Sequence, residues 1–350
     1  MQIGHDRRTF LKRALGVATA GLLAACAPAT GPSAPAPQGA TAPPVLKSVT
    51  KLTYALASVN GLHFVATIGS EKPDLPHKFG VEWELITTTN SPNAVNALIG
   101  GSVDIAGATP DSAWPAQDKA PDIKQIAALA DGTPYVLLAQ PELKKAGDLK
   151  GKTLGASAIR GGADTNAIRI MLFENGLKET DYTIVQAGAI SDRTAAMKAK
   201  SIDAVAQIEP QATLLRDEGF PEIDNANNYP SLKGVHSVVL LAKKGWYDSN
   251  ADTAMNVLRA WDAITKWIYD PANKAEIIAI SKKTMGANDK AAEAVYKLHV
   301  DAKSVPQDIR IKEKYMQQFV DNQKKSGAEN VPTDPMKYVD ISLVDRALKA

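Results

Sequence analysis

Two stretches of the chain, ALIGGSVDIA at residues 97–106 and AMKAKSIDAV at residues 196–205, align with each other at an offset of 99 residues. The alignment places Ser102 over Ser201 and Asp104 over Asp203. Each stretch has the pattern of a helix end, a tight turn and a short strand. This internal repeat predicts two similar lobes, each built around one such unit.

The strands that flank the repeated unit recur as well. Lobe one begins with LTYALAS at 52–58 and continues with VEWELITT at 81–88, while lobe two begins with KTLGAS at 152–157 and continues with YTIVQAG at 182–188. Each strand leads into a loop and then a helix pattern. Strands that alternate with helices predict an α/β fold of two doubly wound lobes with mainly parallel sheets, in which ligands bind at the carboxyl ends of the strands.

The chain after about residue 250 is predicted to be helical instead. Residues 253–271 carry apolar side chains at steps of three and four, and further helices are predicted over 271–286, ended by Gly286, and over 288–303. His77 and His299 have no motif around them and are expected at the surface.

The first 26 residues have the features of an export signal. Arg7 and Arg8 precede an alanine-rich apolar run of about 12 residues, which is too short for a bilayer that needs about 20. The segment resembles a twin-arginine signal, with Asp6 in place of the usual Ser or Thr. Cys26, after LAA, looks like the lipidated cysteine of a lipobox; the alternative is an ordinary cleavage site that contains a cysteine.

Composition limits what the rest of the chain can be. Residues 27–49 are rich in Pro, Ala, Gly, Ser and Thr without apolar periodicity, which predicts a disordered tether. The single cysteine excludes a disulfide within the chain and a multi-cysteine metal site. A net charge of +2 without a basic run gives little support for nucleic-acid binding. No later segment has the apolar length that a membrane span needs.

The stretch GASAIRGGADT at 155–165 poses the question of a phosphate-binding loop. It lacks the spacing of a dinucleotide site and of a P-loop, and its nearest lysine, Lys152, precedes the strand, so a nucleotide site is disfavoured. A strand end, a small-residue loop and a helix start still expose backbone N–H groups that suit an anion, with Arg160 as a charged partner. Alternatively, Arg160 points to solvent or pairs with Glu209 or Asp164, which leaves the cleft to a neutral ring compound.

Four stretches together carry a family resemblance: GGSVDIAGATP, DLKGKTLGAS, SIDAVAQIEP and the closing YVDISLVDRALKA. In their order and spacing they resemble the periplasmic solute-binding proteins of ABC importers, in the taurine, alkanesulfonate, nitrate and thiamine-precursor group. The resemblance runs from about Leu52 to the C-terminus. It implies a type II periplasmic-binding-protein-like fold, in which two lobes enclose a ligand cleft and are joined by two crossover strands.

The same resemblance implies domain boundaries. The crossover strands would be residues 132–140 and 234–244, with hinges near 133–136 and 235–238. Lobe one would then comprise residues 50–133 and 240–350, and lobe two residues 134–239.

The function implied by the resemblance is that of an extracytoplasmic receptor. It would capture a small organic anion, sulfonate- or carboxylate-like, or alternatively a neutral ring compound such as a pyrimidine, a thiamine precursor or a flavin. Its partners would be the solute and the membrane permease of an ABC importer, with no cofactor. We expect a monomer in the periplasm or on the outer face of the cytoplasmic membrane, anchored through a lipid at Cys26.

An enzyme is the alternative class, because thiamine-pyrimidine synthases share this fold. Those synthases carry a cysteine-rich segment with iron and a cofactor-linked lysine, whereas the one cysteine here, Cys26, lies in the signal. No Ser/His/Asp arrangement or paired-carboxylate motif stands out either. We therefore expect a protein without enzymatic activity.

The loops after the predicted strands supply the candidate ligand-binding residues. In lobe one they are Ser58, Asn60, His63, Thr88, Thr89, Asn90 and Thr109; in lobe two they are Ser157, Arg160, Gly161, Gly162, Thr165, Gln207 and Glu209; and His236 lies on the return crossover. No pair of histidines has the spacing of metal ligands, so no metal site is expected.

Overall fold

The computed structural model describes residues 48–58 and 61–349. The predicted signal peptide, the lipidation site at Cys26, the tether up to residue 47 and the candidate Asn60 lie outside the described residues. All the elements below belong to one unit, Leu46–Ala350.

Ten strands run through this part of the chain: β1 (Thr50–Leu56), β2 (Val81–Thr87), β3 (Ile105–Ala108), β4 (Ile123–Asp131), β5 (Val136–Ala139), β6 (Thr153–Ala156), β7 (Thr183–Gln186), β8 (Ala204–Gln207), β9 (Glu222–Asn225) and β10 (His236–Lys243). The helices are α1 (Phe64–Glu71), α2 (Asp74–His77), α3 (Ser91–Ile99), α4 (Pro110–Lys119), α5 (Ala163–Glu174), α6 (Ile190–Lys198), α7 (Gln211–Asp217), α8 (Pro230–Lys233), α9 (Lys244–Ser249), α10 (Ala251–Tyr269), α11 (Lys274–Met285), α12 (Asp289–Tyr296), α13 (Glu313–Lys325) and α14 (Ser342–Lys349).

The strands form two five-stranded sheets of the same topology. The sheet of lobe one has the order β2-β1-β3-β10-β4, and that of lobe two has the order β7-β6-β8-β5-β9. In each sheet the first three strands are parallel, and one strand, β10 or β5, is inserted antiparallel between its neighbours. The sheets are therefore mixed, where the sequence predicted mainly parallel ones.

The internal repeat is confirmed at the level of single hydrogen bonds. In lobe one the Asp104 carboxylate accepts from the backbone N–H of Thr53 at 2.7 Å, and in lobe two Asp203 accepts from the backbone N–H of Thr153 at 2.8 Å. Each aspartate ties the start of the third strand of its lobe to the first strand. These bonds fix the strand register, and they explain why an aspartate recurs at this point of the repeat.

The two predicted crossover strands do not span both lobes. Among the described residues, β5 pairs within the sheet of lobe two and β10 within that of lobe one, so residues 236–239 lie in lobe one and not in lobe two. The chain passes between the lobes in the segments 132–135 and 226–235. A strand that spanned the gap between the lobes would leave its backbone N–H and C=O groups without partners. Within the sheets, β5 and β10 each pair with a neighbouring strand on both sides.

The predicted C-terminal helices are present as α10, α11 and α12. Gly286 ends α11 in the left-handed conformation, at φ 65°, which glycine adopts without the steric cost of a side chain. After α12 the chain forms a π-helix, Lys297–Asp301. The expectation for His299 was wrong: it is buried and stacks on Phe64 at a ring distance of 4.1 Å. Within the described part of the chain, no helix has the length and apolarity to cross a membrane.

Candidate functional site

A cavity of about 50 Å³ lies between the lobes, where the carboxyl ends of the parallel strands meet the starts of several helices. Both lobes contribute to its wall. The lining residues are Ala57, Ser58, Leu62, His63, Thr89, Ser91, Tyr135, Ser157, Ala163, Asp164, Ile190, Arg193, Ile208 and Val238. This is the edge of an α/β sheet at which ligands gather.

His63 forms part of the cavity wall in lobe one. It is buried, and its Nδ1 atom lies 3.1 Å from the hydroxyl oxygen of Tyr54 on β1. Gly107 on β3 packs against the same ring, since a Cβ atom there would lie 2.7 Å from Cε1 of His63. Burial lowers the pKa of His63 to about 4, because the charged ring would lose its hydration. At neutral pH the imidazole is therefore uncharged.

Arg193 and Asp164 provide the charges of the cavity wall, both from lobe two. Asp164 accepts hydrogen bonds from the backbone N–H and the hydroxyl of Ser157, at 2.7 and 2.6 Å. Arg193 donates from Nη1 to the carbonyl oxygen of Gly188 at 2.8 Å and lies 3.5 Å from Asp164. Both side chains are almost fully buried, and the Nε–H of Arg193 has no partner among the described residues. An unpaired buried donor has lost its hydration without compensation.

Hydrogen bonds hold the two lobes together across the cleft. The side-chain amide of Asn90 donates to the carbonyl oxygen of Ser157 at 3.2 Å, and the hydroxyl of Thr109 donates to the carbonyl oxygen of Gly161 at 3.0 Å. A third bond joins the amide of Asn166 in lobe two to the carboxylate of Asp111 in lobe one, at 3.2 Å. The lobes are therefore in direct contact in this structure.

Four of the predicted ligand-binding residues line the cavity: Ser58, His63, Thr89 and Ser157. Asn90, Thr109 and Gly161 belong to the contacts between the lobes. Gly162 is the N-cap of α5, where a Cβ atom would lie 2.7 Å from both the Ser157 hydroxyl and the Asp164 carboxylate. Glycine at this position therefore allows the bond between those two side chains.

Five predicted residues lie away from the cavity wall and have partners of their own. Thr88 donates to the carbonyl oxygens of Leu56 and Asn90, and Thr165 donates to that of Ala158. Gln207 donates to the carbonyl oxygen of Ile190 and to Thr194 Oγ1. Glu209 pairs with Arg216, and His236 bonds to Asp131 and accepts from the backbone N–H of Lys312. These bonds fix loops and helix starts around the site.

Arg160 also lies away from this cavity. Its side chain is 57% exposed and pairs with Glu179 at 3.3 Å, a carboxylate that it shares with the buried Arg169. This partner differs from the Glu209 and Asp164 considered in the sequence. Arg160 and Gly161 line a separate and larger opening of about 460 Å³, bounded by α4, the start of α5 and residues 328–331.

Several residues of the cavity wall were not among the predicted site residues. Arg193 lies in the first turn of α6 and Tyr135 in the first link between the lobes; Ile208 and Val238 add apolar surface. Position offered a signal for Arg193, because α6 follows the second strand of lobe two just as α3 follows the second strand of lobe one. Among the described residues, no group of three or more His, Cys, Asp or Glu side chains could hold a metal ion.

The fold and the cleft together define a class: a two-lobed α/β protein of the type II periplasmic-binding-protein kind, with its candidate site between the lobes. The sequence narrows this class to one family. The family described as NMT1/THI5 like matches residues 77–275, more than half of the chain, and the protein belongs to that family.

A curated relative is named as a binding protein. A candidate binding protein of Brucella abortus is 33% identical over 141 residues, which cover 40% of this chain and 42% of that relative. This chain thus matches less than half the length of its curated relatives.

Solved structures share the fold at low sequence identity. The alkanesulfonate-binding protein SsuA from Xanthomonas axonopodis pv. citri, bound to MOPS, is 17% identical with a TM-score of 0.66 over 86% of this chain and 98% of that one. The periplasmic nitrate-binding protein NrtA from Synechocystis is 15% identical with a TM-score of 0.66 over 86% and 89% of the two chains. The resemblance to solute-binding proteins inferred from the sequence is confirmed.

Proposed function

We propose that this protein is a non-catalytic receptor that binds a small solute between its lobes and delivers it to the membrane permease of an ABC importer. The observation that carries the proposal is the interlobe cavity, whose wall takes polar side chains from both lobes at the carboxyl ends of their strands. Since each lobe contributes only part of the wall, a solute bound there contacts both lobes at once and stabilises their closed arrangement.

Solute entry requires the lobes to separate. A cavity of about 50 Å³ has room for only a few water molecules. The segments 132–135 and 226–235 connect the lobes, and they are the places where backbone rotation can open the cleft. Tyr135, which lies in the first of these segments, also lines the cavity, so the hinge and the site are adjacent.

The proposed solute is a small organic anion, and Arg193 takes the role that the sequence suggested for Arg160. Asp164 already accepts two hydrogen bonds from Ser157 and lies in the first turn of α5, where the helix dipole stabilises a negative charge. Arg193 still has its Nε–H without a partner among the described residues. An oxyanion would satisfy that donor, and a guanidinium suits planar or tetrahedral oxyanions. The names of the two structural relatives, for alkanesulfonate and nitrate, support the same class.

The proposed location is extracytoplasmic, on a lipid anchor. Support comes from the twin-arginine-like start, the LAAC run that ends at Cys26 and the periplasmic relative. Intact-mass analysis of the membrane-fraction protein should give a chain that starts at a lipidated Cys26. An unmodified N-terminus at another residue contradicts this part of the proposal.

A thermal-shift screen tests the receptor function and the solute class together. The panel contains ethanesulfonate, nitrate and an aromatic carboxylate as anions, and a pyrimidine and a flavin as the neutral-ring alternative. A ligand at 100 times its dissociation constant stabilises the folded state by about 2.7 kcal/mol, so a true solute raises the melting temperature clearly. The compound must also be recovered unchanged. If only the pyrimidine or the flavin raises the melting temperature, the solute is a neutral ring compound and not an anion. If the protein converts the compound into another one, the receptor function is rejected.

A further inference from the structure

We infer that Tyr54 holds the ring of His63 in the tautomer that carries its proton on Nε2, so that lobe one presents a neutral N–H donor to the interlobe cavity. Tyr54 is thereby a positioning residue and His63 a specificity-determining one. The consequence for the solute, which must offer a hydrogen-bond acceptor to His63, rests on the proposed function. The tautomer itself does not depend on that function.

The hydroxyl of Tyr54 is buried beside the His63 ring. Tyr54 lies on β1 with no exposed surface, and its ring packs edge-on against Trp261 at a ring distance of 5.8 Å. Its hydroxyl has a single hydrogen-bond partner among the described residues, Nδ1 of His63 at 3.1 Å. Burial raises the pKa of Tyr54 far above its ordinary value, so the hydroxyl keeps its proton.

The direction of the hydrogen bond between Tyr54 and His63 follows from the requirement that both buried groups have a partner. A neutral imidazole has one N–H donor and one acceptor nitrogen. If Nδ1 carried the proton, it would donate to the oxygen of Tyr54, and the O–H of Tyr54 would then be buried without an acceptor. A buried unpaired donor costs about 1–3 kcal/mol. The arrangement that satisfies both groups has Tyr54 donating to Nδ1, which places the ring proton on Nε2.

The His63 ring contacts the sheet of lobe one and also lines the cavity. The Nδ1–Cε1 edge faces the sheet, since a Cβ atom on Gly107 would lie 2.7 Å from Cε1 and 2.8 Å from Nδ1. His63 nevertheless lines the cavity, and because Nδ1 is bonded to Tyr54, Nε2 is the remaining nitrogen of the ring. The N–H on Nε2 is therefore the polar group that the ring can offer to a solute.

Each lobe offers one hydrogen-bond donor to the proposed solute. His63 contributes an N–H from lobe one, and Arg193 contributes its unpaired Nε–H from lobe two. A solute that presents acceptor oxygens toward both lobes satisfies the two donors only when the cleft is closed. His63 thus selects for an acceptor without adding charge, while Arg193 supplies the charge.

The tautomer can be measured on the full chain without any ligand. Two-bond ¹⁵N–¹H correlation spectra of the histidine rings at pH 7.5 distinguish a protonated Nδ1 from a protonated Nε2, and a His63→Gln sample assigns the signals. We expect His63 to show a protonated Nε2 and a hydrogen-bonded, unprotonated Nδ1. A protonated Nδ1, or a ring charged at both nitrogens, overturns the inference.

Two tyrosine variants test whether Tyr54 sets this state. Tyr54→Phe should move the Nδ1 signal of His63 to that of an unbonded ring nitrogen or mix the two tautomers. Tyr247→Phe is the matched control, because the buried Tyr247 donates to Asp340 at 2.8 Å and does not contact His63. If the His63 signals of Tyr54→Phe match those of the wild type, Tyr54 has no positioning role.

Titration with ethanesulfonate separates this inference from the proposed function. If the wild type binds the probe, the Nε2–H proton of His63 should shift on binding, and Tyr54→Phe should weaken affinity about three- to tenfold. Unchanged affinity in Tyr54→Phe contradicts the role of the tautomer in recognition. If the wild type does not bind the probe, the proposed solute class fails, whereas the ligand-free spectra still decide the tautomer.

Discussion

The hydroxyl of Thr109 donates a hydrogen bond to the carbonyl oxygen of Gly161 at 3.0 Å, which joins the loop after β3 of lobe one to the loop after β6 of lobe two. Thr109 is fully buried, so water does not compete for the bond while the lobes are together. We predict that Thr109→Val shifts the solute-free protein toward an open cleft. One buried hydrogen bond is worth about 0.5–1.5 kcal/mol, a shift of roughly two- to tenfold in the ratio of closed to open molecules.

Small-angle scattering without solute checks this prediction through the radius of gyration, which should be larger in Thr109→Val. Thr88→Val serves as the control, because the Thr88 hydroxyl bonds only within lobe one. Equal radii for Thr109→Val and the wild type contradict the prediction.

Substitution of the two arginines distinguishes the site that the sequence suggested from the one that the fold forms. Arg193→Met should lower the affinity for an anionic solute by about ten- to a hundredfold, since a hydrogen bond to a charged group contributes about 1.5–3 kcal/mol. Arg160→Met should change it less than about twofold, because Arg160 pairs with Glu179 outside the cavity. Isothermal titration calorimetry measures both. A large loss in Arg160→Met alone assigns the solute to the 460 Å³ opening instead.

Gly107 is predicted to tolerate no side chain. The Cβ atom of Gly107→Ala would lie 2.2 Å from the Tyr54 hydroxyl oxygen and 2.7 Å from Cε1 of His63, so the pair must move. Overpacking of this kind costs about 1–3 kcal/mol in the free energy of unfolding. Gly245→Ala is the control, with no atom within 4 Å of the added methyl group. Urea unfolding should show destabilisation in Gly107→Ala only; equal stability of the two variants contradicts the packing argument.

The buried histidines His63 and His299 predict that the folded state loses stability in mild acid. Burial lowers the pKa of His63 to about 4 and that of His299 to about 3, against about 6.5 in the unfolded chain. The unfolded chain therefore binds more protons below pH 6.5, and stability that is complete above that pH is lost as the pH falls toward 4. His63 alone accounts for roughly 3 kcal/mol.

Melting temperatures measured from pH 7.5 to 4.5 test this pH dependence. His63→Gln should reduce the slope of stability against pH, because the buried ring that resists protonation is then absent. A slope that is the same in the wild type and in His63→Gln rules out a contribution from His63.

The sequence by itself determined the elements and the pairing of the lobes. Recurring strand patterns that lead into a loop and a helix predicted β1, β2, β6 and β7 to within two residues at each end, and the recurring aspartate predicted the repeat that Asp104 and Asp203 form. These features depend on the spacing of nearby residues and on hydrogen bonds within one repeat unit. Both can be inferred from the linear sequence.

The tertiary structure alone decided which side chains meet in the cleft. Arg160 and Arg193 both follow strands of lobe two, yet only Arg193 faces the cavity, because it lies in the first turn of α6 while Arg160 extends to Glu179. His299 has no sequence signal of burial and is buried because the π-helix packs it on Phe64. The direction of a loop side chain depends on partners distant in sequence, and no local pattern carries that information.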